Sequence, residues 1–100
     1  MPRLARSQEP YGIKGWRPIP FVVLEARGDL FPDQEEAAKD PVYVHLRAFP
    51  KGIPGKTIEQ IGMLIAKGTG INEYEVLGSI DQLIAVGIVS LERRYGYIPR

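Results

Sequence analysis

A single histidine and no cysteine set the first limit on what chemistry this 100-residue chain performs. A metal centre needs several imidazole, thiolate or carboxylate donors converging on one point. His45 stands alone, with no partner at ligand spacing, and reads as a structural histidine on a helix. Asp33-Gln-Glu-Glu36 brings carboxylates together, but on one short, solvated segment with no aromatic cleft to shift their protonation. General acid–base catalysis is not expected of it. Gly55-Lys56-Thr57 before a helix resembles the end of a phosphate-binding loop. The full motif needs a glycine where Pro50 stands, and 100 residues leave no room for the parallel sheet behind such a loop. Thr57 reads better as a helix cap. The expectation is a protein that is not an enzyme, with no metal and no cofactor.

Bulk properties narrow the class further. The length fits one domain with a modest core. Without cysteine there are no disulfides and no thiol chemistry, which suits a reducing interior or a thermally stressed one. No apolar run reaches 18 residues, and Met1-Pro-Arg-Leu-Ala-Arg-Ser7 has no apolar stretch behind it, so a cytoplasmic protein without a membrane partner is expected. Net charge is +1, but unevenly spread. Arg3, Arg6, Lys14, Arg17 and Arg27 outnumber Glu9 and Glu25 at the start. Asp29, Asp33, Glu35, Glu36 and Asp40 then face Lys39 alone. A basic arm, an acidic patch and a neutral module with basic spots follow one another.

The elements that would position these groups are read from period and caps. Residues 1–20 carry Pro2, Pro10, Pro18, Pro20, Gly12 and Gly15 and show no helical period, which predicts an extended, partly disordered arm with Tyr11 and Trp16 pinning its end. Phe21-Val-Val-Leu24 is an edge strand or the start of a helix. Asp33-Gln-Glu-Glu36 after Pro32 predicts a capping box for a short helix to Lys39. Asp40-Pro41 opens a helix with Val42, Leu46 and Phe49 on one face. The same stretch also alternates as a strand would. A helix is favoured because a helix-turn-helix needs one there. After the break at Pro50–Gly55, Thr57-Ile-Glu-Gln60 caps a helix bearing Ile58, Ile61, Leu64 and Ile65, ending near Lys67-Gly68, with Gly68-Thr-Gly70 as the turn. Asn72-Glu-Tyr-Glu75 caps the next, with Ile71 and Val76 as a hydrophobic staple. Its buried stripe is read as Val76, Leu77, Ile80, Leu83 and Ile84, closed by Gly87. Ile88–Leu91, a turn at Glu92-Arg93-Arg94 and Tyr95-Gly-Tyr-Ile98 predict a small two-stranded wing.

Thr57-Ile-Glu-Gln-Ile-Gly62 followed by Gly70-Ile-Asn-Glu-Tyr-Glu-Val-Leu-Gly-Ser-Ile-Asp-Gln-Leu-Ile-Ala-Val-Gly-Ile-Val89 resembles the winged helix-turn-helix superfamily. It is particularly similar to phage and plasmid replication organisers of the DnaD type and to small bacterial transcription regulators. The resemblance covers roughly 40–95. It implies an α+β winged helix-turn-helix over residues 21–100, with a three-helix core, a short C-terminal β-wing and the arm 1–20 in front. It implies double-stranded DNA as partner, in transcription regulation or replication initiation. The second helix would then read bases through Tyr74, Gly78, Ser79 and Gln82, with Asn72 near phosphate. Arg93 and Arg94 at the wing tip, with Lys56 or Lys51 at the first helix, would hold the backbone. This chain departs from a strong reader in one respect: Glu73, Glu75 and Asp81 make the second helix acidic, and it has no Lys or Arg. The competing expectation is a protein-interaction module or homodimer, using Tyr74, Leu77 or Tyr95 and the acidic 29–40 segment.

Overall fold

The computed structural model describes residues 16–99, so most of the basic arm, with Arg3, Arg6, Tyr11 and Lys14, lies outside the described residues. The described residues are α+β: three helices and a three-stranded antiparallel sheet. Strand β1 (Trp16–Ala26) leads through 3-10 turns at Pro32–Gln34 and Ala37–Lys39 to helix α1 (Pro41–Arg47). Strand β2 (Ile53–Gly55) follows, then α2 (Ile58–Thr69), α3 (Glu73–Val86) and β3 (Val89–Pro99).

The helices begin where polar side chains meet free backbone N–H groups. Asp40 accepts from Val42 N at 2.8 Å and Pro41 needs no partner for its nitrogen, so 41–47 is a helix rather than a strand. Thr57 Oγ1 accepts from Gln60 N at 3.1 Å, and Gln60 Oε1 accepts from Lys56 N at 2.6 Å, one residue earlier than in a standard capping box. Asn72 Oδ1 accepts from Tyr74 N at 2.8 Å. Between α2 and α3, Thr69 Oγ1 donates to Ile65 O and accepts from Ile71 N, which fixes the turn.

Helix α2 runs two residues beyond its expected end and stops at Gly70, whose φ of 76° closes it through a bond from Gly70 N to Ala66 O. Gly68 is therefore helical. Its missing Cβ makes room for His45, whose Cε1 would lie 2.6 Å from a Cβ built there. Helix α3 ends in a Schellman motif: Ile88 N donates to Leu83 O, Gly87 N to Ile84 O, and Gly87 sits at φ 93°. A Cβ at Gly87 would meet Gln34 Nε2 only at 3.5 Å, so the obstacle to a side chain is conformational. Gly87→Ala is expected to cost about 1–2 kcal/mol. That is a drop of roughly 5–10 °C in thermal midpoint, measurable by circular dichroism.

One continuous core joins both layers: Leu24, Val42, Tyr43, Leu46, Ile53, Ile61, Ile65, Val76, Ile80, Leu83, Ile88 and Val89 are buried together, with Ile71 packed against them. Tyr43 belongs to it, and its hydroxyl donates to Arg27 O, tying α1 to the end of β1. Leu77 is only half-buried and Ile84 is 37% exposed, so the buried stripe of α3 is narrower than the sequence implied. Phe49 lies past α1 rather than on its inner face, 41% exposed, with its ring 5.3 Å from that of His45.

Three expectations are corrected. No turn occurs at Glu92-Arg93-Arg94: β3 runs unbroken and pairs along its whole length with β1, from Trp16 opposite Pro99 to Ala26 opposite Val89. Residues 92–94 include none of the Gly, Asn or Asp that a tight hairpin needs, and β1 offers a continuous partner. Phe21–Leu24 is not an edge strand but part of the central one, since the sheet order is β2-β1-β3. β1 starts at Trp16. The capping box at 33–36 is replaced by two single 3-10 turns. There Gln34 Oε1 accepts from Phe31 N, in place of the expected Glu36 reaching back to Asp33, and Gln34 Nε2 donates to Val86 O at 2.9 Å, latching the acidic segment to the end of α3.

Candidate nucleic-acid interface

Residues opposite one another in an antiparallel pair share a face. Val22, Leu24, Ala26, Val89, Leu91, Arg93 and Tyr95 therefore lie on the face that carries the core, and Val23, Glu25, Glu92 and Arg94 lie on the other. Towards the far end of β1 and β3 the core residues give way to Arg93 and Tyr95, both exposed.

That geometry separates the two arginines. Arg93 comes together with Lys56: both line an open hollow of about 180 Å³ with Pro20, Phe21 and Val22. Lys56 immediately precedes Thr57, the N-cap of α2. Arg94 projects from the opposite face and is paired with Glu92, its Nε donating to Oε1 at 3.0 Å. Its charge is thereby offset by an adjacent carboxylate, and it does not join the Lys56–Arg93 pair. Sequence spacing hides this division, because only the register of β3 decides which of two adjacent arginines faces the hollow.

The residues expected on α3 are spread over more than one surface. Asn72 uses its side-chain oxygen on Tyr74 N as the helix cap. Tyr74 is 84% exposed, the most open large apolar side chain described. Gly78 faces open space, with nothing within 4 Å of a Cβ built there, and Ser79 is half-buried. Gln82 is turned towards the 3-10 segment, in a groove of about 550 Å³ shared with Asp33, Glu36, Lys39 and Asp40. Lys51 is exposed between α1 and β2. The outward stripe of α3 is thus neutral to acidic: Tyr74, Gly78, Asp81 and Ala85, with Glu75 and Gln82 flanking it.

The close approach of α3 to α2 comes from Gly62, which is buried and whose Cβ, if present, would sit 2.8 Å from Leu77 Cδ2. Among the described residues no group of three or more His, Cys, Asp or Glu is placed to hold a metal ion. Among the described residues no helix is long and apolar enough to cross a membrane. The chain matches no protein-family model, no curated protein and no solved structure in comparisons of its sequence and fold.

Proposed function

We propose that the chain is a duplex-DNA-binding module of winged-helix type, serving transcription regulation or replication initiation. It would grip the phosphate backbone through Lys56 and Arg93, and α3 would dock by shape and polar contact rather than by charge. The observation that carries this reading is the convergence of Lys56 and Arg93 on one hollow. Two cations from distant parts of the chain meet there, with no carboxylate among the lining residues. Phosphate contacts fix a protein on DNA without reading sequence, and backbone N–H groups at a helix start complement them. The helix order α1, α2, α3 followed by a strand, and the tight α2–turn–α3 unit, support the winged-helix assignment. The wing in this reading is the β1–β3 ribbon, joined from segments far apart in the chain.

Binding of a labelled random duplex, followed by fluorescence anisotropy, is expected to weaken by roughly 10- to 100-fold between about 50 mM and about 200 mM salt, as two to four phosphate contacts require. Absence of binding at the lower salt overturns this reading. It would favour the second one, a protein-interaction module, whose specific support is the carboxylate-lined groove beside Gln82 together with the exposed Tyr74.

A further inference from the structure

We propose that the outer edge of β3 is a self-association surface, along which two copies of this chain join their ribbons antiparallel about a two-fold axis at Arg93. This inference does not rest on the DNA-binding reading.

The argument begins with which backbone groups point outward. Arg27 N donates to Ile88 O at 2.8 Å, so this pair is of the hydrogen-bonded kind, and such pairs alternate along an antiparallel ladder. Glu25–Ser90, Val23–Glu92 and Phe21–Arg94 then bond to one another, whereas Val89, Leu91, Arg93 and Tyr95 aim their N–H and C=O groups away from β1. By the same alternation, Pro18, Pro20, Val22 and Leu24 aim theirs towards the β2 side of the sheet. β2 covers only Val22–Leu24 of that side.

The other free edges are closed by proline. Beyond β2, the positions of β1 that aim outward on that side are Trp16, Pro18, Pro20 and Ala26, and the two prolines, which have no N–H, break the run. On the outer side of β2 the outward position is Pro54, opposite Val23. Proline on an edge is a standard block against strand addition. β3 has no such block from Val89 to Ile98; its proline comes last, at Pro99. The pairing register shows no bulge. Among the described residues no strand covers this edge. Eleven residues is long for an unpaired edge.

The side chains select a second copy as the occupant. A two-fold axis perpendicular to the sheet pairs residues of like parity. Centred on Arg93, it sets Glu92 of each copy opposite Arg94 of the other, at the non-hydrogen-bonded positions where side chains approach most closely. Leu91 meets Tyr95 on the opposite face, both substantially exposed in the single chain. Arg93 meets its own copy at the wider hydrogen-bonded spacing. Centring on Glu92 or Arg94 instead places like charges at the closest positions and gives no opposite pair. The ribbon's outer half also gains from the arrangement: a two-stranded ribbon is marginal alone, and four strands bury it. Antiparallel joining places the two helical bodies on opposite sides of the axis along the strands.

Sedimentation equilibrium without nucleic acid tests this. The wild-type chain is expected to be a reversible dimer, and Tyr95→Pro, which removes one outward N–H while leaving the bonds to β1, to be monomeric. Because that variant can lose its fold, a charge pair completes the test. Glu92→Arg alone and Arg94→Glu alone each place like charges across the interface and are expected to dimerise roughly tenfold or more weakly. An equimolar mixture of the two restores both opposite pairs and is expected to form a heterodimer at the wild-type level. A monomeric wild type at all concentrations overturns the proposal. So does a dimer indifferent to Tyr95→Pro in folded protein, or a mixture that associates no better than its components.

Discussion

Replacing Lys56 and Arg93 together by alanine is expected to weaken binding to every duplex alike and to flatten its salt dependence. Each phosphate contact contributes about 0.9 to the slope of log affinity against log salt, so losing two lowers the slope by about 1.8. Between about 50 mM and about 200 mM salt, the variant's affinity should therefore fall roughly tenfold less than the wild type's. Both side chains are exposed and neither belongs to the core, so the fold should survive. Arg94→Ala is the informative control. Adjacent in sequence, it faces the other side of the ribbon and already has Glu92 as a partner. It should change the slope much less than Arg93→Ala. Equal effects at 93 and 94 would mean that the ribbon is not read from one face, and an unchanged slope in the double variant would remove this hollow from the binding surface.

The contrast between these two arginines shows where sequence reading stops. Caps were legible because they depend on two or three neighbouring residues: Asp40 with Pro41, Thr57 with Gln60, Asn72 and Gly87 all act within one turn of where they stand, although Asn72 bonds Tyr74 N rather than pairing with Glu75. The sheet was not legible, because its decisive pairing joins Trp16–Ala26 to Val89–Pro99, and nothing local in either segment names the other. Reading 88–98 as a hairpin was the local solution to a non-local problem. The face of each ribbon residue, and with it the candidate site, follows from that pairing. Gly68 failed for the opposite reason: a glycine near a helix end signals a stop, but its use here is to admit His45 from another helix. Pro18 and Pro20 look like marks of an unstructured arm until the register places their missing N–H groups on an exposed edge.

The phasing of α3 gives the largest stability effect. Ile80 and Ile84 are one turn apart, of the same residue type, and periodicity alone puts both on the buried stripe. Ile80 is fully buried between the sheet and the other helices, whereas Ile84 is 37% exposed. Ile80→Ala removes buried methylene groups and leaves a cavity that α1, α2 and the sheet cannot close without moving. The expected cost is about 2–5 kcal/mol. Against the roughly 5–15 kcal/mol that holds a domain of this size, that is a large fraction. The thermal midpoint should fall by roughly 10–30 °C. Ile84→Ala loses only part of that contact area, and alanine's higher helix propensity offsets some of the loss, so about 1 kcal/mol or less is expected. Urea denaturation of both variants measures the difference directly. Comparable losses at the two positions would mean that α3 is rotated towards Ile84. Tyr74, Gly78 and Asp81 would then turn with it, and the outward stripe described for this helix would be wrong.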